Sequence, residues 1–260
     1  MQPHLEHFWN GQQRGTTDAN HLVGQLSIRD GERIQLAVLD RWRAQGEALG
    51  GWKVGLTSGQ SRDNFGPGVR PFGYVLQGRI FRSGASIPIA DVPNLGLETE
   101  VCFRIGTRLA GADTTPARAR AAVAAVMPAF ELNQKRTDGG SDGGIRTADN
   151  LSQWGIVIGQ EQSLAALAAS HGGDAEAALA AMVVSQHLDG VLQETVHAQG
   201  HIDDHFVSLA ALARELSAFD LALEAGMHVI TGAYTRANKG SAGTYAGSFS
   251  CLGEVQVTFA

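Results

Sequence analysis

A chain of 260 residues can form one large domain or two small ones, and a hydrophobic fraction of 43% supplies a substantial core. A formal net charge of -6 argues against a general role on nucleic acid or an anionic membrane, and no apolar run reaches the roughly 20 residues that span a bilayer. Cys102 and Cys251 lie far apart, and the first ten residues lack a charged-then-apolar leader, so we expect two reduced, packed thiols in a cytoplasmic protein. Residues 18–48 read as helical, with Ile34, Val38 and Trp42 in steps of four while Asp40, Arg41 and Arg43 can face water. Gly50-Gly51 breaks that pattern, and Trp52 to Leu56 reads as a short strand. From Phe72 onward short β segments dominate. The exception is an Ala-rich helix over 116–126, with Thr115 as N-cap, Pro116 at the first helical position and Pro128 helping to end it. Residues 137–144 form a flexible loop by composition. Residues 182–188 and 191–196 are expected to pair as a hairpin around Asp189-Gly190. Phe206, Leu209, Ala213 and Leu216 mark another amphipathic helix, and Val255, Val257 and Phe259 alternate in a last strand. No internal repeat is visible.

One strand poses a chemical question. In Gly96-Leu97-Glu98-Thr99-Glu100-Val101-Cys102-Phe103, Leu97, Thr99, Val101 and Phe103 share one face, and the other begins with Glu98 and Glu100. Side chains at i and i+2 stand on the same face with Cα atoms ~6.6 Å apart, so two carboxylates can converge on one cation. An exposed, wetted strand face would also carry such residues. Glu131 sits likewise among apolar residues in Met127-Pro128-Ala129-Phe130-Glu131-Leu132. Three carboxylates suit a hard divalent ion, Mg²⁺ or Mn²⁺, and the absence of nearby Cys/His spacing argues against structural zinc.

These segments, with Gly51-Trp52-Lys53-Val54-Gly55-Leu56-Thr57-Ser58, Phe72-Gly73-Tyr74, Thr147-Ala148-Asp149-Asn150, Gly155-Ile156-Val157-Ile158-Gly159, Ile230-Thr231-Gly232-Ala233-Tyr234-Thr235 and Leu252-Gly253, stand in an order that resembles the fumarylacetoacetate hydrolase family. More narrowly, they resemble its 2-keto-4-pentenoate hydratase and 4-oxalocrotonate decarboxylase branch. The resemblance implies an α+β fold: a helical N-terminal region, taken as residues 1–70, then a mixed β-roll over residues 71–260 carrying the metal site. It implies a metal-dependent lyase that adds water to a 2-hydroxy-2,4-dienoate. The alternatives are decarboxylation of a 4-oxalocrotonate-like diacid, C–C hydrolysis of an acylpyruvate, and a non-catalytic partner subunit. A homo-oligomer acting on a small 2-keto or 2-hydroxydienoic acid is expected.

Carried over by position, Glu98, Glu100 and Glu131 match the metal carboxylates and Lys53 the active-site lysine. A lysine beside the oxygens of a chelated 2-keto acid can bind the anion or move a proton. Asp149, as a catalytic candidate, and Asn150 line the pocket or form a turn, because Asx side chains commonly bind their own backbone. Thr235 matches a position near the substrate carboxylate or caps a loop. His201 and His205 show no partner that would make either a base, and no His/Glu lid pair of the hydrolases is evident near His21 or Glu32. Three departures stand out, one of them the unusual glycine-rich loop at 139–144. Gln77 occupies a stretch where branch members often carry acids. A loop from Arg236 to Gly243 replaces the usual Pro-Gly-Asp turn, and there Arg236 and Lys239 are expected to read a second substrate carboxylate.

Overall fold

The computed structural model describes residues 2–138, 142–237 and 239–260. It is an α+β fold. Helix α1 (Gln2–Arg14) leads into a 3₁₀ turn at Asn20–Leu22 and helix α2 (Ile28–Ala44). Strands β1 (Leu49–Val54), β2 (Phe72–Leu76), β3 (Ile80–Arg82), β4 (Ala85–Ile87) and β5 (Leu95–Ile105) follow, then α3 (Pro116–Ala122) and β6 (Val123–Gln134). Helix α4 (Gly143–Ala148) precedes β7 (Gln153–Ile158), α5 (Leu164–Ser170) and α6 (Ala175–Ala180). The chain closes with β8 (Val183–Leu188), β9 (Val191–His197), α7 (His205–Ser217), β10 (His228–Ala237), β11 (Gly243–Phe249) and β12 (Gly253–Phe259).

Local chemistry sets several of these boundaries. Ser27 and Asp30 form a reciprocal capping box, so α2 starts at Ile28 and not at residue 18. Ile34, Val38 and Trp42 are buried as their spacing predicts. Thr115 caps α3 by accepting from Arg118 N, with Pro116 in the first turn. That helix ends at Ala122, four residues earlier than its alanines suggest. Val123, Ala125 and Val126 instead pair with Ile105, Arg104 and Phe103 of β5, and sheet pairing overrides alanine's helical preference. Pro128 therefore ends no helix. It lies inside β6 where β7 runs out, its carbonyl accepting from Gly159 N at 2.8 Å, a setting a strand proline tolerates. The hairpin of β8 and β9 is present, with φ of 50° at Asp189 and 79° at Gly190 as a tight primed turn requires. Of the glycine-rich stretch, residues 139–141 lie outside the described residues, and Gly143 and Gly144 begin α4.

Among the described residues the strands form two sheets, one ordered β2-β1-β10-β5-β6-β7-β3 and the other β4-β12-β11-β8-β9. Strand β1 pairs with both β2 and β10. The sheet thus begins at Leu49, ahead of the expected boundary at residue 70, and one apolar core runs from Phe8 to Phe259. The parity of β5 and β6 separates the two faces of the larger sheet. Leu97, Val101, Phe103, Val126, Phe130 and Leu132 enter the main core. Cys102, Ala125, Met127 and Ala129 belong to a second, smaller cluster with Val75, Ile156, Ile158 and Ile230. By the same parity Glu98, Glu100 and Glu131 continue the face of that small cluster. Among the described residues no helix is long and apolar enough to cross a membrane.

Candidate metal centre

Pairing across β5 and β6 sets Glu98 directly opposite Glu131, with Glu100 two residues along β5. Each of the three offers a carboxylate oxygen, and these atoms lie within 4.8 Å of one another. Glu100 and Glu131 are buried, while Glu98 is partly exposed. Glu100 Oε2 accepts from Gly232 N at 2.6 Å. That donor is available because β10 is irregular on both sides of Ala233, and Gly232 takes φ of 135°. A Cβ at Gly232 would stand 2.1 Å from Thr57 Oγ1, so glycine is required there on both counts.

Lys53 on β1 is buried and its Nζ donates to Glu131 Oε1 and, at 3.3 Å, to the carbonyl of Leu151. That carbonyl is aimed by an unusual turn. Asn150, Leu151 and Ser152 have φ of 56°, 50° and 63°, three left-handed residues in succession without a glycine. Asn150 holds the turn by accepting from Tyr74 N at 2.7 Å and donating to Tyr74 O at 3.0 Å, as a strand neighbour would.

The electrostatics suit a cation. Burial, and then the neighbouring Glu131, push the Glu100 carboxyl well above the usual range. Burial raises Glu131 too, with Lys53 opposing. Glu131 Oε2 is buried without a hydrogen-bond partner. A buried carboxylate oxygen left unsatisfied among two further carboxylates is what a hard divalent ion would complete. Three oxygen ligands leave coordination positions for water and substrate.

These groups line one cavity of about 180 Å³, together with Ser58, Ser61, Asn133, Lys135, Arg146 and Arg236. Arg236 lines this cavity, and its Nε is bound to Glu98 Oε1 at 3.0 Å and its Nη2 to Ser61 Oγ at 2.9 Å. Lys239 lines a different cavity. Four expected residues do not line the centre. Gln77 is exposed in a 3₁₀ turn past the end of β2 that is remote from Lys53, because Lys53 pairs with Gly73 and Leu49 with Leu76. Asp149 is consumed by a buried ion pair, its Oδ1 2.7 Å from Arg136 Nε. Asn150 spends both ends of its amide on Tyr74 and acts through the backbone it holds. Thr235 projects from the opposite face of the sheet, donating to Gln186 Oε1 at 2.7 Å and bonded to Thr99 Oγ1 at 2.7 Å. His205 is bonded to Thr231 and Tyr234 and its pKa is lowered to about 4 by burial; it lines a separate cavity. Sequence reasoning missed Arg146, which has no strand parity or motif to mark it. It treated Gly232 only as part of a motif, although a glycine inside an apolar strand is itself a pointer to a close backbone approach.

The sheet brings three carboxylates and a buried lysine to one cavity, a donor set that could hold a divalent cation. No family model matches the chain. A 2-hydroxypent-2,4-dienoate hydratase of Pseudomonas putida is 31% identical over 141 residues, 52% of this chain and 62% of that protein. The chain thus spans less than two thirds of that relative's length in the matched region. A 4-oxalocrotonate decarboxylase of a Pseudomonas species is 29% identical over 213 residues, 82% of this chain and 78% of that protein. The solved 4-oxalocrotonate decarboxylase from Pseudomonas putida G7, complexed with magnesium and adipate, has the same fold: TM-score 0.86 at 20% identity, covering 99% of this chain and 96% of that one. Over most of its length the chain is similar to a 4-oxalocrotonate decarboxylase and to 2-keto-4-pentenoate hydratases, and it shares its fold with solved proteins of the fumarylacetoacetate hydrolase family.

Proposed function

We propose that the protein is a metal-dependent hydro-lyase that adds water to a 2-hydroxy-2,4-dienoate and yields a 4-hydroxy-2-keto acid. The observation that carries this reading is the convergence of Glu98, Glu100, Glu131 and Lys53 on one cavity in a chain related to dienoate hydratases. Glu98, Glu100 and Glu131 would hold the cation, Mg²⁺ or Mn²⁺. When bound, that cation supplies Lewis acidity toward the carboxylate and 2-oxygen of the substrate. Lys53 Nζ has three donors, and Glu131 and Leu151 O engage two of them, so the third is available to the substrate's 2-oxygen. In the net reaction the enol proton moves to C5, the hydroxyl of water adds at C4 and its proton at C3. Lys53 is the group placed to hold or move the proton at the 2-oxygen. A second reading, decarboxylation of an oxalocrotonate-like diacid, is supported by the fold shared over nearly the whole chain with a decarboxylase and by the cations that line the cavity.

The reading carries a cytoplasmic location, which two buried free thiols fit. It also carries a homo-oligomer, for which β9 offers an open sheet edge with exposed Val191 and Leu192. The test is turnover of 2-hydroxypenta-2,4-dienoate by the purified chain with Mg²⁺, with the product identified. Lys53→Met is expected to lower kcat by roughly a hundredfold or more, the usual worth of positioned proton transfer. A wild-type chain that releases CO₂ from oxalocrotonate and hydrates nothing would favour the second reading. Normal turnover in Lys53→Met would remove Lys53 from the chemistry.

A further inference from the structure

We propose that Arg146 is a specificity residue of the cavity, selecting substrates that carry a second carboxylate at the end away from the 2-keto acid. This deepens the function proposed above and rests on it.

Arg146 stands on α4 and lines the same cavity as the three glutamates and Lys53. Among the described residues its guanidinium makes no hydrogen bond or ion pair. Its contact is the ring of Phe65, 5.5 Å from the centroid. A ring face orients a guanidinium plane and leaves its edge donors unspent, and those donors match a carboxylate in a forked pair. The other arginine of the cavity, Arg236, is committed, and so are Arg70 and Arg136 outside its lining. Arg236 holds Glu98 and Ser61, Arg70 holds Asp63 and Asp203, and Arg136 holds Asp149. A half-buried arginine without an anion is costly, because desolvation is not repaid. Burial lowers its pKa, with Glu98 opposing and Arg236 adding to the effect.

The charge of the whole cavity points the same way. Its walls carry Lys53, Lys135, Arg146 and Arg236 against three glutamates. A bound divalent ion leaves an excess of three positive charges, two more than a monocarboxylate neutralises. A second carboxylate on the substrate reduces that excess, and Arg146 is the cation whose donors are open to it.

The experiment compares kcat/KM for 2-hydroxypenta-2,4-dienoate and 2-hydroxyhexa-2,4-dienedioate in the wild-type Mg²⁺ enzyme, Arg146→Gln, Arg146→Lys and Arg236→Gln. The dicarboxylate-to-monocarboxylate ratio is expected to fall roughly ten- to a hundredfold in Arg146→Gln, mostly through KM, and less in Arg146→Lys, which keeps the charge and loses the fork. A parallel calorimetric arm measures 2-oxohexanedioate against 2-oxohexanoate, which bind without turnover. It judges Arg146 even if neither dienoate reacts, an outcome that would sink the hydratase reading alone. A ratio unchanged in Arg146→Gln in either arm overturns the proposal. So does a ratio that collapses only in Arg236→Gln, which would make Arg236 the reader.

Discussion

At the scale of single residues, the three carboxylates are not equivalent. Glu131 is fully buried with one oxygen unsatisfied, whereas Glu98 keeps partial solvent contact and shares an oxygen with Arg236. A cation recruiting Glu98 must compete with that guanidinium, while at Glu131 it meets an oxygen with no other partner. Calorimetric titration of Mg²⁺ should therefore show Glu131→Gln weakened by about a hundredfold or more, since even outer-shell changes cost about 10–100-fold. Glu98→Gln should lose less. Equal affinity for wild type and both variants would remove the carboxylates from metal binding.

At the scale of elements, the decisive unit is the turn between α4 and β7. Leucine in the left-handed region costs roughly 1–2 kcal/mol, so Asn150-Leu151-Ser152 persists because its surroundings hold it. Asn150 supplies two hydrogen bonds to Tyr74, and Arg136 grips Asp149 and the carbonyls of Asp149 and Gln153. Asn150→Ala removes the clamp and leaves the Tyr74 backbone groups unpaired in a buried place. Urea unfolding should show a loss of about 1–3 kcal/mol. Turnover should fall further than Mg²⁺ affinity does, because the turn aims a carbonyl at Lys53 and touches no metal carboxylate. Wild-type stability together with wild-type kcat would show that the turn holds itself. Asx chemistry at 149–150 was legible as a turn former. That the turn faces Lys53 was not, since the two segments lie about a hundred positions apart and meet only through the pairing of β1 with β2.

For the molecule as a whole, one buried acid ties stability to pH. Glu32 on α2 is 3% exposed and ion-paired with Arg29, which also holds Glu215 of α7. Burial, and then Glu215, raise its pKa to about 7 against an ordinary 4.5, with Arg29 and Arg33 opposing. A carboxyl raised in the folded state is protonated there while the unfolded chain has already ionised. Its contribution is full below pH 4.5 and is lost as pH rises through about 7. Glu32→Gln should therefore match wild type near pH 4 and exceed it above pH 7.5 by on the order of 2–3 kcal/mol. Thermal unfolding at the two pH values reads this directly, and a variant less stable at high pH would mean that the Arg29 pair outweighs burial.

Much of the site was legible because strand geometry is local. The alternation of β5 placed Glu98 and Glu100 on one face and Leu97, Val101 and Phe103 on the other, and the same parity applied to Glu131. Caps and turns were equally local, as at Thr115 and Asp189-Gly190. Helix α1 escaped notice because its sequence is mostly polar and buries little beyond Phe8, Gly11 and Gln12. Which faces meet is a non-local matter of strand order. That order set Glu131 against Glu98, brought Lys53 to both, turned Thr235 toward the second sheet, left Gln77 outside and closed the cavity with Arg146 from a short helix. A residue's type and parity state what it can do. Only long-range pairing, whose register no stretch of a few residues encodes, determines what it does it with.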